Sequence, residues 1–108
     1  MTSYTQYEIV VVNLDPTIGS EIKKKRPCLV VSPNEMNEHL ATIVICPITS
    51  QSKHYPTRVS FELEGQLNWI VIDQIRTVDK NRATKTIGYL DDETIEKVKS
   101  IIKETFVD

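Results

Sequence analysis

The residues with the clearest chemical potential lie in a polar segment, Asp15–Pro27, which connects two apolar runs. This segment carries one carboxylate between its ends, Glu21, and closes with four consecutive cations, of which the last is Arg26. Pro27 restricts the residue before it to extended backbone, so it holds Arg26 at the mouth of a strand. A guanidinium in that place suits bidentate recognition of a phosphate. The alternative is a solvated basic loop that only keeps an edge strand soluble.

A second polar segment, Ile48–Pro56, follows the third apolar run. If the first three strands form an antiparallel meander, both segments leave from the same end and can flank one groove. Hydroxyls, an amide and cations can orient a phosphate or the edge of a base without a metal ion. The residues of this segment that could do so are Thr49, Ser50, Gln51, Ser52, Lys53 and His54.

The elements that must position these side chains are mostly short strands. β-Branched and alternating runs predict strands at Tyr7–Asn13, Cys28–Ser32, Thr42–Cys46, Arg58–Leu63, Trp69–Asp73, Gln74–Val78 and Lys85–Leu90. Turns are predicted at Glu64–Asn68 and Asp79–Ala83. A helix is predicted to begin after Asp91 as N-cap, with apolar positions through Phe106 on one face. The fold class is therefore mainly β (α+β), a small barrel or curved sheet with a C-terminal helix.

Composition limits the function classes. A chain of 108 residues predicts a single domain over 1–108, with residues 1–6 as a flexible tail. The net charge of −2 argues against a globally basic nucleic-acid binder, so a polyanion site must be local. No apolar run approaches the ~20 residues that span a bilayer, and no signal peptide is expected. Cys28 and Cys46 are expected to be buried reduced thiols, although a disulfide between neighbouring strands is the alternative, and no metal site is expected.

Four motifs in the same order resemble the MazF/PemK/Kid family of toxin endoribonucleases. They are Asp15–Glu21 followed by Arg26-Pro27, then Pro47–Lys53, Asp73–Asp79 and Leu90–Glu93. The resemblance implies an SH3-like barrel, a homodimer and cleavage of single-stranded RNA without metal or cofactor. It also implies a cognate antitoxin protein, contact with DNA only through an antitoxin complex, and a cytoplasmic protein of bacterial or archaeal type.

The resemblance also implies residue roles. Arg26 and Thr49 would carry catalysis, and Asp73 and Gln74 would lie near the substrate groove. The residues expected to bind substrate are Ser20, Glu21, Ser50, Gln51, Lys53, Asp73 and Gln74. One branch of the family has a histidine before the loop glutamate and an arginine two residues before the Asp-Gln pair. This chain has Ser20 and Val71 there, so the acid–base assignment of that branch is not transferred.

The expected reaction is attack of the substrate 2′-OH on its own phosphate, giving a 2′,3′-cyclic phosphate and a 5′-OH end. Three general bases remain open: Glu21, Asp73 and, as a possible accessory, His54. Thr49 could instead cap the end of its strand, and Asp73 could be a structural partner of Arg76. A non-catalytic SH3-like barrel that binds RNA, or a protein target such as gyrase, is the alternative function.

Overall fold

The computed structural model describes residues 3–108 and contains seven strands and two α-helices. The strands are β1 (Glu8–Asn13), β2 (Lys25–Val30), β3 (Thr42–Thr49), β4 (Arg58–Leu63), β5 (Gln66–Val71), β6 (Arg76–Asp79) and β7 (Ala83–Tyr89). The helices are α1 (Asn34–His39) and α2 (Asp92–Phe106). Short 3-10 turns at Ile72–Gln74 and Lys80–Arg82 flank β6.

The strands form one curled half-barrel sheet in the order β4-β5-β3-β2-β1-β7, in which all the strand pairs are antiparallel. Along one edge, β3 changes partners. Thr42–Ile45 pair with β6, whereas Ile48 and Thr49 pair with Ile70 and Trp69 of β5. This change of partner bends the sheet, and the predicted fold class, mainly β with a C-terminal helix, is confirmed.

The sheet is buried on both faces. On one side, Ile9, Leu29 and Ile48 pack with Val98 of α2. On the other side, Val10, Val12, Val30 and Ile43 pack in a second cluster. Period-two alternation therefore divides β1 between two cores, which explains why its sequence is apolar at successive positions.

The C-terminal helix begins where the sequence predicts. Asp91 is the N-cap, and its carboxylate accepts from the Thr94 backbone N–H at 3.1 Å and from the Thr94 hydroxyl at 2.7 Å. Val98 is fully buried, and Ile95, Ile101 and Ile102 pack around the first core. Phe106, which the periodicity assigns to the same face, is 52% exposed because it lies in the last turn beyond the sheet.

Several predicted boundaries are wrong. The strands that begin at other residues than predicted include β2 (Lys25 instead of Cys28), β5 (Gln66 instead of Trp69), β6 (Arg76 instead of Gln74) and β7 (Ala83 instead of Lys85). β3 continues through Pro47 to Thr49 instead of ending at Cys46. Pro47 falls between the pairing with β6 and the pairing with β5, where this edge of the strand has no ladder partner for an N–H to reach. The turn predicted over Glu64–Asn68 consists of Glu64 and Gly65 alone, because Leu63 pairs directly with Gln66.

Part of the tail predicted to be flexible, residues 4 to 6, contacts the rest of the domain. Tyr4 is 8% exposed and packs in the second core. The Gln6 backbone N–H donates to Asn34 Oδ1 at 2.7 Å, and its side chain donates to the Val31 carbonyl at 2.9 Å. Met1 and Thr2, the rest of that prediction, lie outside the described residues. Over residues 3–108, neither helix has the length and apolar character needed to cross a membrane.

Candidate functional site

The first three strands form the meander that the sequence predicts. β1 pairs with β2 and β2 with β3, both antiparallel. The loop after β1 and the loop after β3 therefore leave from the same end of the sheet. We call them the first loop (residues 14–24) and the second loop (residues 50–57).

Arg26 and Thr49 are brought to this end by the register of β2 and β3. Cys28 lies opposite Pro47, which is the last paired position of the two strands. Arg26 stands two residues before Cys28, and Thr49 stands two residues after Pro47. Continuing the antiparallel register by two residues would place both at the same level, at the end of the sheet from which the two loops leave, although Thr49 does not line the depression that contains Arg26.

Arg26 is half-buried, and its guanidinium makes one hydrogen bond with the protein. Its Nε–H donates to the Lys23 carbonyl at 3.2 Å, and within residues 3–108 its two terminal nitrogens make no hydrogen bond or ion pair. Arg26 lies on the wall of a depression of about 380 Å³, which we call the Arg26 depression. The residues around it are Arg26, Pro27, Ile48, Ser50, Leu63, Glu64, Gln66, Asn68 and Ile87.

Thr49 is 9% exposed and pairs with Trp69 of β5. Its hydroxyl oxygen accepts from the Gln51 backbone N–H at 3.1 Å. The same hydroxyl donates to the Gln51 carbonyl at 3.4 Å, so the predicted capping role is real. Ser50 follows on the wall of the Arg26 depression, whereas the Gln51 side chain is exposed.

The first loop is fastened at its base by side chains distant in sequence. The Ile22 backbone N–H donates to Gln74 Oε1 at 2.7 Å. Arg76 donates to the Leu14 carbonyl at 3.1 Å, and Arg82 donates to the carbonyl of Asp15. Gln74, expected to bind substrate, thus uses its amide oxygen to hold the loop. Arg82 is likewise engaged with this loop.

Glu21 lies in the first loop, where its Oε1 accepts from the Ile18 backbone N–H at 2.6 Å. It borders a second depression of about 220 Å³, whose wall also contains Asp73, Gln74 and Pro47. Ser20 is exposed beside it. The loop therefore presents Glu21 and Ser20 at the same end of the sheet as Arg26, in a neighbouring depression.

Asp73 has a structural role. It pairs with Arg58, whereas the structural alternative considered from the sequence was Arg76. The two side chains form an ion pair at 3.3 Å, and Thr57 donates its hydroxyl to the same carboxylate at 2.9 Å. Partial burial raises the pKa of the Asp73 carboxyl, but hydrogen bonds from Arg58 and Thr57 outweigh it, so the pKa lies below its usual value. Asp73 is therefore ionised and engaged.

Arg58 also organises the second loop. Its Nη1 donates to the Ser52 hydroxyl at 2.7 Å, and its guanidinium lies 4.9 Å from the centre of the Tyr55 ring. Lys53 and His54 are exposed in this loop. His54 borders a separate groove of about 540 Å³ against α2, so the structure does not bring it into the Arg26 depression.

Comparison with known proteins now decides the family. A family model described as PemK-like, MazF-like toxin of type II toxin-antitoxin system matches residues 5–106. The chain belongs to this family. It is 32% identical over 102 residues to the endoribonuclease EndoA of Bacillus subtilis (strain 168), a match that covers 89% of this chain and 88% of that protein.

Solved structures of toxins share the fold. MazF from Deinococcus radiodurans superposes with a TM-score of 0.86 at 24% identity, covering 96% of each chain. An endoribonuclease solved in complex with its cognate antitoxin, from Mycobacterial species, superposes with a TM-score of 0.80 at 20% identity, covering 94% of this chain and 93% of that one. This PemK/MazF-type toxin chain therefore has the same half-barrel as its structural relatives.

The two cysteines of the toxin chain are both free and buried. Since Cys28 lies opposite Pro47, Cys46 points to the other face, and the two thiols belong to different cores. Burial raises the pKa of each thiol to about 12, which removes them as nucleophiles. Over residues 3–108, no three His, Cys, Asp or Glu side chains cluster as metal ligands would.

Sequence reasoning did not select two polar side chains of the Arg26 depression, Glu64 and Gln66, and it considered Asn68 only as a loop position that could affect base recognition. The prediction of an irregular turn over Glu64–Asn68 hid the positions of all three. A shorter turn of Glu64 and Gly65 would have placed Gln66 and Asn68 at alternate positions of a strand, on one face, and that pattern was the available signal.

Proposed function

We propose that this protein is a metal-independent, sequence-specific endoribonuclease that cleaves single-stranded RNA and acts as the toxin of a toxin–antitoxin pair. The family assignment and the name of the B. subtilis relative support the activity. Cleavage of messenger RNA by such an enzyme would inhibit translation and growth.

The observation that carries the proposal concerns the four arginines of the chain. Through their terminal nitrogens, Arg58, Arg76 and Arg82 bind a carboxylate, a hydroxyl or backbone carbonyls. Among the described residues, only Arg26 leaves both terminal nitrogens without a protein partner, and it does so on the wall of a polar depression. A guanidinium so placed is suited to grip a phosphate with two parallel hydrogen bonds.

In the proposed reaction, the substrate 2′-OH gives its proton to a general base and attacks the adjacent phosphorus, while the bond to the 5′-oxygen breaks and that oxygen takes a proton from solvent. Arg26 stabilises the negative charge that builds on the phosphoryl oxygens, and the Thr49 hydroxyl donates a hydrogen bond to one of them. A preorganised donor of this kind accelerates such a step by about 10²–10³-fold. The products are a 2′,3′-cyclic phosphate and a 5′-OH end.

Of the three candidate bases, Glu21 is the best supported. The Asp73 carboxylate is held by Arg58 and Thr57, and His54 borders neither the Arg26 depression nor the depression that contains Glu21. Glu21 makes one side-chain hydrogen bond, through Oε1, and makes no ion pair within the described part of the chain. Glu21→Gln should therefore lower the rate of the chemical step while retaining RNA binding.

The proposal extends to partners. The toxin would bind a cognate antitoxin protein, as one structural relative does, and would contact DNA only through that complex. It would act as a homodimer. Light scattering after gel filtration, with and without the co-expressed antitoxin, tests both statements.

The deciding experiment is incubation of a long single-stranded RNA with purified protein in EDTA, followed by analysis of the product ends. The protein should give discrete fragments with 5′-OH and cyclic phosphate ends, and Arg26→Ala should not. Intact RNA, from folded protein that is free of antitoxin, would favour the alternative of a non-catalytic barrel that binds RNA or a protein target such as gyrase.

A further inference from the structure

The Arg26 depression has a second polar wall, which belongs to the hairpin of β4 and β5. Glu64, Gln66 and Asn68 form this wall, opposite Arg26. The rest of the lining includes the apolar side chains of Pro27 and Ile48. A volume of about 380 Å³ falls at the lower end of the range of small-molecule pockets, which is the size that a single nucleoside needs.

The inner face of β5 changes character along its length. Ile70 is fully buried in the first core, and Asn68, two residues earlier on the same face, is 9% exposed. The residue opposite Asn68 is Phe61, which belongs to that core. Among the described residues, no fully buried side-chain N or O atom lacks a hydrogen-bond partner, so any unpaired group of this amide is accessible from solvent.

The protein engages only part of the hydrogen-bonding capacity of the Asn68 amide. Asn68 Nδ2 donates to the Gln66 carbonyl at 3.1 Å. A carbonyl oxygen can only accept, which fixes the orientation of the amide and turns Oδ1 away from that bond. In residues 3–108, nothing donates to Oδ1, so Asn68 keeps one acceptor and one N–H for a ligand.

Glu64 is held in a conformation that is unusual for its residue type. It and Gly65 form a two-residue turn with φ of +52° and +80°, which suits asparagine, aspartate or glycine better than glutamate. The backbone nevertheless places a carboxylate on the rim of the depression. This carboxylate does not pair with Arg26 within 4.0 Å, so one cavity contains an unpaired acid and an unpaired guanidinium among the described residues.

A nucleotide satisfies both groups at once. We propose that the Arg26 depression is a subsite for one nucleotide, in which Arg26 binds the phosphate, Asn68 hydrogen-bonds the edge of the base, and Glu64 selects a base with an exocyclic amino group, such as adenine or cytosine, over uracil. A carboxylate oxygen accepts hydrogen bonds. The amino groups of adenine and cytosine donate to it, whereas uracil has a single ring N–H between two carbonyl oxygens that repel the carboxylate. Single-stranded RNA exposes these base edges for recognition.

This inference rests on the proposed function for its substrate class, and its test is independent of cleavage. Single-stranded oligomers of 2′-deoxyadenosine, 2′-deoxycytidine and 2′-deoxyuridine lack the attacking hydroxyl, so they can be titrated against the intact enzyme by fluorescence anisotropy. Phosphate contacts are the same for all three, so the ratio of their dissociation constants isolates the base. The variants are Glu64→Gln and, as matched control, Glu62→Gln, which removes an exposed carboxylate outside the depression.

We expect the adenine and cytosine oligomers to bind the wild-type protein at least about fivefold more tightly than the uracil oligomer, and Glu64→Gln to bring the three within about twofold. Glu62→Gln should keep the wild-type ratio. Asn68→Ala, checked for folding by its thermal melt, should weaken the binding of all three oligomers and keep their ratio, because its amide can pair with the edge of each base. Equal binding of the three oligomers by the wild-type protein, or a ratio that Glu64→Gln does not alter, would overturn the subsite. Loss of RNA cleavage with the ratio intact would instead overturn the nuclease and keep the subsite.

Discussion

Two arginines, Arg26 and Arg58, flank the end of β3 and show opposite uses of one side chain. Arg58 is 20% exposed, and each of its three guanidinium nitrogens donates a hydrogen bond, to Asp73 or to the Ser52 hydroxyl. Arg26 has one backbone acceptor, at Nε, among the described residues. A guanidinium whose nitrogens are all engaged by its own protein must break a bond to bind a phosphate with two parallel hydrogen bonds, whereas Arg26 can do so with its two terminal nitrogens directly.

Because of this difference, substitutions at the two arginines should have different effects. Changes at Arg26 should lower the rate and spare the fold, and changes at Arg58 should lower stability and spare the chemistry. Substitutions in each region test whether the cleavage rate and the stability can be changed independently.

The largest effect is expected for Arg26→Lys, which keeps the charge and removes the planar fork that matches a phosphate. The rate of RNA cleavage should fall by about 10²-fold or more, with an unchanged melting temperature. Single-turnover cleavage and circular dichroism measure the two quantities. Lys25→Gln, which removes a neighbouring exposed cation, is the control and should change the rate by less than about fivefold. A lysine variant with the wild-type rate would show that only charge is needed at this position.

Arg58→Ala should lower the free energy of unfolding by about 1–2 kcal/mol, because a partly exposed ion pair and a cation–π contact are both lost. The fluorescence of Trp69, the single tryptophan, can follow urea unfolding. Cleavage at a temperature where the variant is folded should stay within about tenfold of the wild-type rate, since Arg58 does not border the Arg26 depression. A hundredfold loss of rate would erase the distinction between the two arginines.

Asp91→Ala removes the N-cap of α2, which lies outside both regions. It should lower the free energy of unfolding by about 1 kcal/mol. The rate should not change in single-turnover assays. An effect on the rate would mean that the seating of α2 controls the site, and the comparison would then have to include the helix.

The smallest expected effect is the loss at acidic pH of the stability that Asp73 contributes. The pKa of Asp73 is lower in the folded protein than its ordinary value of 3.8, so its ionised form stabilises the fold above that pH. This contribution, below about 1 kcal/mol for a partly exposed pair, is lost as the pH falls through the folded pKa. The difference in unfolding free energy between wild type and Asp73→Asn should therefore be constant from pH 5 to 7 and shrink below about pH 4. Urea titrations at each pH measure it, and a difference that grows in acid would contradict the assignment.

Much of the fold could be predicted from local patterns. The cap at Asp91 and the alternation of Arg58–Leu63 act over a few residues, and the structure places both as expected. The extension of β3 through Pro47 could not be predicted, because it depends on β3 exchanging β6 for β5 at that point.

For the site, too, some features could be predicted from the sequence and others could not. Motif order selected Arg26 and Thr49, which the register brings to one end of the sheet. The different uses of the four arginines could not be read from the sequence, since Arg76 and Arg82 find their acceptors 62 and 67 residues away. The pairing of Asp73 with Arg58 could not be read from the sequence either, because Arg58 is close only once β4 lies beside β5.

The hydrogen bonds that fix the first loop affect how tightly and for how long a substrate can be bound. Gln74, Arg76 and Arg82 fix the base of the loop before any substrate arrives. Fixing the backbone of one residue costs about 1–2 kcal/mol of conformational entropy, and each residue ordered in advance spares the complex that loss. A loop that is preorganised at both ends therefore needs binding energy only for its tip, and the remainder is available to lengthen the residence time of the RNA.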